Sequence, residues 1–295
     1  MGFFSKLFNR KGKNESVQQR SEDSNVVNVK SEDDGMNWAI EKAKLTLHYF
    51  EKCLVSPKSA QQYFSIKVKI DDGENIEHLW LTEPSFDEEG NLFGVVGNQP
   101  LDVKTVALGQ KIGIDRNLIS DWMIIENGRL IGGYTIRAIR DNLSGNDLIN
   151  FDRGLGGMIV DEGEDYFLPS SKTPEGAIIQ LEEAYDQDDL EKAIASKDFK
   201  IEAKFMLSKI GKGIEDAGVE NKTAEVLKLS FIKHMQENGM PKFNGIKRAF
   251  PKREKISDQE MIITEVCYYP DGGKSMEKLR TYLTDDGWKV IGPVG

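Results

Sequence analysis

The sequence predicts an α+β protein of two domains: a helix with a bent antiparallel sheet, then a cone-shaped domain of helices on a curved antiparallel sheet. Three observations carry this. Helical periodicity followed by short alternating strand runs occurs twice along the chain. A stretch of weak patterning from Asp141 to about Pro169 separates the two cycles. The 295 residues suffice for two domains that each bury a core.

In the first cycle, Ile40, Ala43, Leu47, Phe50 and Leu54 recur at three- and four-residue steps, which predicts a helix from about Met36. Asp34 or Asn37 is its cap and Ser56-Pro57 its stop. Strands follow at Tyr63–Ile70, Ile76–Thr82 and Leu92–Val96, with turns at Asp71-Asp72-Gly73 and Asp87–Asn91. Leu118–Ile125 and Arg129–Ile139 flank Asn127-Gly128, a hairpin signal because both residues accept positive φ. Gly132-Gly133 inside the last of these strands indicates a bulge or a close backbone approach. A short helix or loop is expected around Leu148 and Phe151, closing a domain that spans 35–169.

The second cycle, 170–295, opens on Thr173-Pro174, an N-cap followed by proline at the first helical position. Ala177, Ile178, Leu181, Ala184 and Tyr185 line one face of this helix. A short helix from Asp189 follows, and a third carries Phe199, Ala203, Met206, Leu207 and Ile210. A fourth, with Leu227, Phe231 and Met235 in register, ends at Asn238-Gly239 before Pro241. Strands are expected at Phe243–Phe250, Glu260–Tyr269, Lys274–Thr284 and Trp288–Ile291.

Ahead of both domains, residues 1–34 are expected to form a disordered tail. From Asn14 onward they are polar, with no apolar period to offset the entropy of ordering. At the head of the tail, Phe3, Phe4, Leu7 and Phe8 share a helical face beside Lys6, Arg10, Lys11 and Lys13. That pattern suits a weak peripheral membrane or partner contact; a frayed terminus is the competing reading, because so short a helix is marginal in water.

Composition narrows the function classes. A content of 39% hydrophobic and 30% charged residues is that of a soluble globular protein. The net charge of -10 argues against nucleic acid as a partner, since a phosphate backbone demands a basic footprint. No apolar run is long enough to span a bilayer. The first residues have neither a signal peptide's apolar core nor the myristoylation pattern, so a cytoplasmic location is expected. Cys53 and Cys267 fall in different domains, and His48, His78 and His234 are scattered. Neither a disulfide framework nor a metal site is expected, and no cofactor loop is visible.

The candidate binding residues lie in two groups. Ile76, His78 and Trp80 share one strand face, and His78 beside Trp80 is a candidate base or ligand contact. Asp121, Trp122 and Tyr134 lie on the two hairpin arms and are candidates to join His78 in a polar–aromatic patch. Ordinary cross-strand pairing is the plainer account. In the second domain Tyr185, Cys267, Tyr269, Tyr282 and Trp288 are candidates to line a pocket between helices and sheet. Glu182, Glu183, Asp186, Asp188 and Asp189 read as a solvated helix face, and Cys267 has no histidine near it in sequence. No residue is assigned a catalytic role.

Two resemblances extend this reading. Tyr63-Phe-Ser-Ile-Lys-Val-Lys69, Glu77-His78-Leu-Trp80, Gly97-Asn98-Gln-Pro100, Asp121-Trp-Met and Gly132-Gly-Tyr-Thr-Ile-Arg137 resemble the YegJ-like bacterial family, domain of unknown function 2314. That resemblance covers Met36 to about Pro169 and brings no activity with it. From Thr173 to Gly295, helices followed by long hairpins ending at Gly287-Trp288-Lys-Val290 look like the cystatin-like cone of nuclear transport factor two and its relatives. That group includes ketosteroid isomerase and scytalone dehydratase as well as non-catalytic binding and immunity domains. The isomerase's catalytic Asp and Tyr have no motif counterpart here.

The expectation is a non-catalytic binding protein of ligand or protein, an immunity protein being one version, with a homodimer through the C-terminal sheet as one arrangement. The alternative is an isomerase or hydrolase using the cone pocket, with His78 or a pocket acid as base. A third reading is a membrane-peripheral protein tethered by Phe3 to Lys13.

Overall fold

The structure is a computed structural model that describes residues 24–161, 163–209 and 217–294, with side chains from residue 34 onward. Phe3 to Lys13, the first part of the expected linker, and Ile210 lie outside the described residues. Contacts divide the chain into two units, Met1–Glu164 and Asp165–Gly295. The chain is α+β, with one antiparallel sheet in each unit.

The first unit begins with α1 (Ser24–Leu45) and α2 (Leu47–Val55). The helix expected from Met36 therefore starts at Ser24, across part of the segment read as a linker. Once Ala39 and Ala43 pack in the core, each further turn adds a hydrogen bond per residue without a new nucleation cost. Thr46 separates the two helices, its hydroxyl donating to the Lys42 carbonyl at 2.8 Å. Six strands follow: β1 (Gln61–Asp71), β2 (Ile76–Phe86), β3 (Leu92–Val96), β4 (Lys111–Gly113), β5 (Ile119–Glu126) and β6 (Arg129–Gly132). Their order in the sheet is β4-β3-β2-β1-β5-β6.

The strand expected over Arg129–Ile139 is overturned beyond Gly132: α3 (Tyr134–Asp141) replaces it, followed by α4 (Gly145–Gly154). Gly132 and Gly133 both have positive φ, 68° and 62°, which turns the chain out of the ladder. A β-carbon on Gly132 would meet the Trp122 ring and carbonyl at 2.6 Å, so the approach requires glycine.

Helices cover both faces of this sheet. Phe50 of α2 contacts the rings of Phe64 and Trp122, and Trp122 donates to the Ala43 carbonyl at 3.0 Å. On the opposite face Trp80, Met123 and Leu130 pack with Ile136 of α3 and Leu155 just beyond α4. Burying these side chains stabilises the unit by about 1.5–3 kcal/mol each relative to exposure.

The second unit has α5 (Pro174–Asp186), α6 (Leu190–Ala195), α7 (Phe199–Lys209) and α8 (Ala217–Asn238). The Thr173 hydroxyl accepts from the Gly176 N–H at 3.1 Å and Asp189 accepts from the Lys192 N–H at 3.0 Å, as the caps required. Strands β7 (Lys247–Lys255), β8 (Glu260–Tyr268), β9 (Lys274–Thr284) and β10 (Gly287–Pro293) form the order β10-β9-β8-β7. The first of these strands starts later than expected because Phe243 and Asn244 are held in a loop by the Asp186 carboxylate. Arg248 and Arg253 of β7 share a sheet face with Ile263, Glu265 and Cys267 of β8. Helix α5 crosses that face.

Candidate functional site

In the first unit the sheet register sets Lys67 opposite both Trp80 and Asp121, so a lysine and an aspartate enter the interior side by side. Asp121 is wholly buried, and its carboxylate accepts four hydrogen bonds. Oδ1 takes the N–H groups of Trp122 (2.8 Å) and Tyr134 (3.0 Å). Oδ2 takes the Thr135 N–H (2.8 Å) and the Thr135 hydroxyl (2.6 Å). The carboxylate thus caps α3 from a neighbouring strand, satisfying amide groups that a helix start leaves open. Lys67 Nζ donates to the Thr135 hydroxyl at 3.3 Å and lies 5.7 Å from the centre of the Trp80 ring. Burial pushes the Asp121 carboxyl up and draws the Lys67 ammonium down, while each charge opposes the other's shift.

The residues singled out in this half are therefore brought together only in part. Asp121 and Tyr134 meet through the backbone, and the Tyr134 ring stands edge-on to Trp122 at 5.6 Å. Trp122 and Trp80 lie on opposite faces of the sheet. His78 reaches Ser120, with Nδ1 to Oγ at 2.8 Å, instead of Asp121. Its pKa is lowered by desolvation, then by Lys67, Lys69 and Lys44. Trp80 is 1% exposed, and its main chain is bracketed by Asn98 Oδ1, which accepts its N–H at 2.8 Å, and by the Gly97 N–H on its carbonyl. Lys67 was missed in sequence, although a lysine between Ile66 and Val68 on an alternating strand is an available signal.

The second unit builds a different site. α5 carries Glu175 and Glu182, two turns apart on one face, and each meets an arginine of β7. Arg253 binds Glu175 through two bonds, 2.9 and 2.6 Å, and Arg248 Nε lies 2.9 Å from Glu182 Oε2. Beside Glu182 stand Glu265 and Cys267 of β8, and one donor atom of each of the three lies within 4.8 Å of the others. All three are buried. Desolvation, then Glu265, pushes the Glu182 carboxyl up to about 10. Burial raises the Glu265 carboxyl as well, and burial with the two carboxylates pushes the Cys267 thiol up to about 12. The two carboxyls lie within hydrogen-bonding reach of each other.

The expected solvated acidic run is thereby corrected. Glu183 faces solvent, but Glu182 faces the interior, Asp186 holds the loop at Phe243 and Asn244, and Asp189 caps α6. The signal for Glu182 was its position on the Ile178–Leu181–Tyr185 face. That for Glu265 was an acid inside the apolar run Met261–Tyr268. Tyr185 closes one side, stacked on Phe243 at 6.4 Å, with its hydroxyl pushed up to about 12 by burial and by Glu182. Trp288 is buried in β10. Tyr269 and Tyr282 are engaged along the β8–β9 hairpin, with Ser275 (2.9 Å) and Gln259 (3.1 Å). Cys53 and Cys267 are free and buried.

Residues 33–157 match a bacterial family described as "Uncharacterized protein conserved in bacteria (DUF2314)". A protein of Neisseria meningitidis serogroup B named "Putative ankyrin repeat protein" is 31% identical over 150 residues, 48% of this chain and 59% of that protein. The uncharacterized protein YegJ of Escherichia coli K12 is 38% identical over 82 residues, 28% of this chain and 53% of that protein. The chain thus spans about half the length of the curated relatives it matches. No solved structure matches it. Several motif residues of the first unit, Trp80, Gly97, Asn98, Asp121, Gly132 and Gly133, hold strands and the α3 start in place. Among the described residues no helix is long and apolar enough to cross a membrane.

Proposed function

We propose that the chain is a non-catalytic, cytoplasmic binding protein whose ligand is received in the interior of the second unit, among Glu182, Glu265, Cys267 and Tyr185. The observation that carries this reading is the acid pair itself. Buried carboxylates without full compensation cost several kcal/mol, and a well-packed apolar replacement is often at least as stable, so stability alone does not account for them. Trp288 and Tyr269 belong to the same proposal as flanking aromatics. The order of helices α5–α8 and then the meander β7–β10 supports a cone of the nuclear-transport-factor-two type. The first unit serves as a scaffold, with exposed His78 as its candidate contact; a homodimer through the second sheet remains part of the proposal.

The test is native mass spectrometry of untagged protein purified without chelator, beside the Glu182→Gln/Glu265→Gln double variant. A stoichiometric adduct on the wild type that is lost from the folded variant supports the reading; bare protein in both cases overturns it.

A second reading, an isomerase or hydrolase, is favoured by one observation: Glu182 keeps its proton to about 10 beside a second carboxyl, which suits a general acid. Against it stands the engagement of Glu182 by Arg248.

A further inference from the structure

We propose that Glu182, Glu265 and Cys267 form a binding site for a divalent cation of the zinc class. The proposal rests on the reading that the second unit holds a ligand, and it names that ligand's chemistry. The three donors come from two elements whose placement is fixed independently. Glu265 and Cys267 are two apart on β8 and so project from the same face. Glu182 arrives from α5, which the Thr173 cap and the Glu175–Arg253 pair hold across that face.

The distances suit a metal. An equilateral triangle of side 4.8 Å has its centre about 2.8 Å from each corner, so small side-chain adjustments reach bonds of ~2.0–2.3 Å. The donors are also shut away from water, with Glu182, Glu265 and Cys267 exposed by 3%, 5% and 6%. A second observation points the same way: Glu265 Oε1 is buried and receives no hydrogen bond from outside the acid pair. Such an oxygen is costly unless something electropositive meets it.

Charge supports the same occupant. Once a cation displaces their protons, two carboxylates and a thiolate carry three negative charges, and Arg248 on Oε2 of Glu182 returns one. A divalent cation brings the cluster to neutrality, which a buried site requires. Donor type selects the cation: calcium and magnesium want six or more oxygen ligands, whereas one sulfur with two oxygens and an open position suits zinc.

The experiment uses the untagged full chain, stripped with chelator and titrated with Co2+ followed by optical absorption, then with Zn2+ by calorimetry. The expected result is one equivalent bound, with a thiolate-to-cobalt charge-transfer band and the visible bands of a tetrahedral site. Cys267→Ser should abolish the charge-transfer band, Glu265→Gln should weaken binding at least tenfold, and Cys53→Ser should change neither. Should a variant fail to fold, zinc X-ray absorption on the wild type decides the matter: a single sulfur at ~2.3 Å supports the site. Absence of the band, a band that survives Cys267→Ser, or a zinc shell of nitrogen and oxygen alone overturns it. A non-metal adduct in the mass spectrum would sink the metal and keep the ligand reading; no adduct and no cobalt band would sink both.

Discussion

Each unit buries acid, and the two do so in opposite ways. Asp121 receives three backbone N–H groups and a hydroxyl, with Lys67 one hydrogen bond behind, so every lone pair it turns inward has a donor. Glu182 and Glu265 face each other and a thiol, with one arginine to share and an oxygen left over. The first arrangement is what a fold needs to start a helix at a strand end. The second is a poor way to stabilise a core and a good way to receive something positively charged. Buried charge is thus no single signal; the count of donors around it separates architecture from a candidate site.

The largest expected effect breaks the first half of that contrast. Asp121→Ala leaves the start of α3 without its acceptor and the Lys67 ammonium without its opposing charge, and should cost about 3–5 kcal/mol in the first unit. Urea unfolding followed by the fluorescence of Trp80 and Trp122 measures it, and a loss below about 1 kcal/mol would mean the cage is dispensable. A smaller effect is expected in the second unit. Glu265→Gln in the metal-stripped protein should change stability by less than about 1 kcal/mol or raise it, because an amide retains hydrogen bonding and removes a charge from the interior. A loss as large as that of Asp121→Ala would show the acid pair to be structural after all.

The smallest effect is one of pH. Desolvation and three lysines hold the His78 pKa below its ordinary 6.5, so in the window beneath 6.5 the unfolded chain takes up a proton that the folded chain refuses. Stability from this group is present above that window and falls as the pH is lowered through it. His78→Gln should therefore flatten the decline between about pH 7 and 5.5, read from urea midpoints at each pH. An unchanged slope would remove His78 as a coupled part of the lysine-lined face.

Periodicity, caps and glycines made much of this legible in advance. The Thr173-Pro174 start, the Asn238-Gly239 stop and the Asn127-Gly128 hairpin are local events whose energetics lie within a few residues. The break after Gly132 was half legible: the paired glycines marked a departure from the strand, but its direction depended on a carboxylate eleven residues earlier in the chain, on a strand already paired with β1. The acidic run of α5 failed for a related reason. Helical spacing placed Glu182 on the apolar face, yet composition suggested solvent, and only the arrival of β7 and β8 opposite it settled which force prevailed.

By itself, then, the sequence determined the α+β class, the two cycles of helix and sheet, and the turns, because propensity, capping and positive φ act over a handful of bonds. Tertiary structure alone decided which charges are buried and what faces them. Desolvation and Coulomb energy depend on distances between residues far apart in the chain, such as Glu182 and Glu265, that no local pattern encodes.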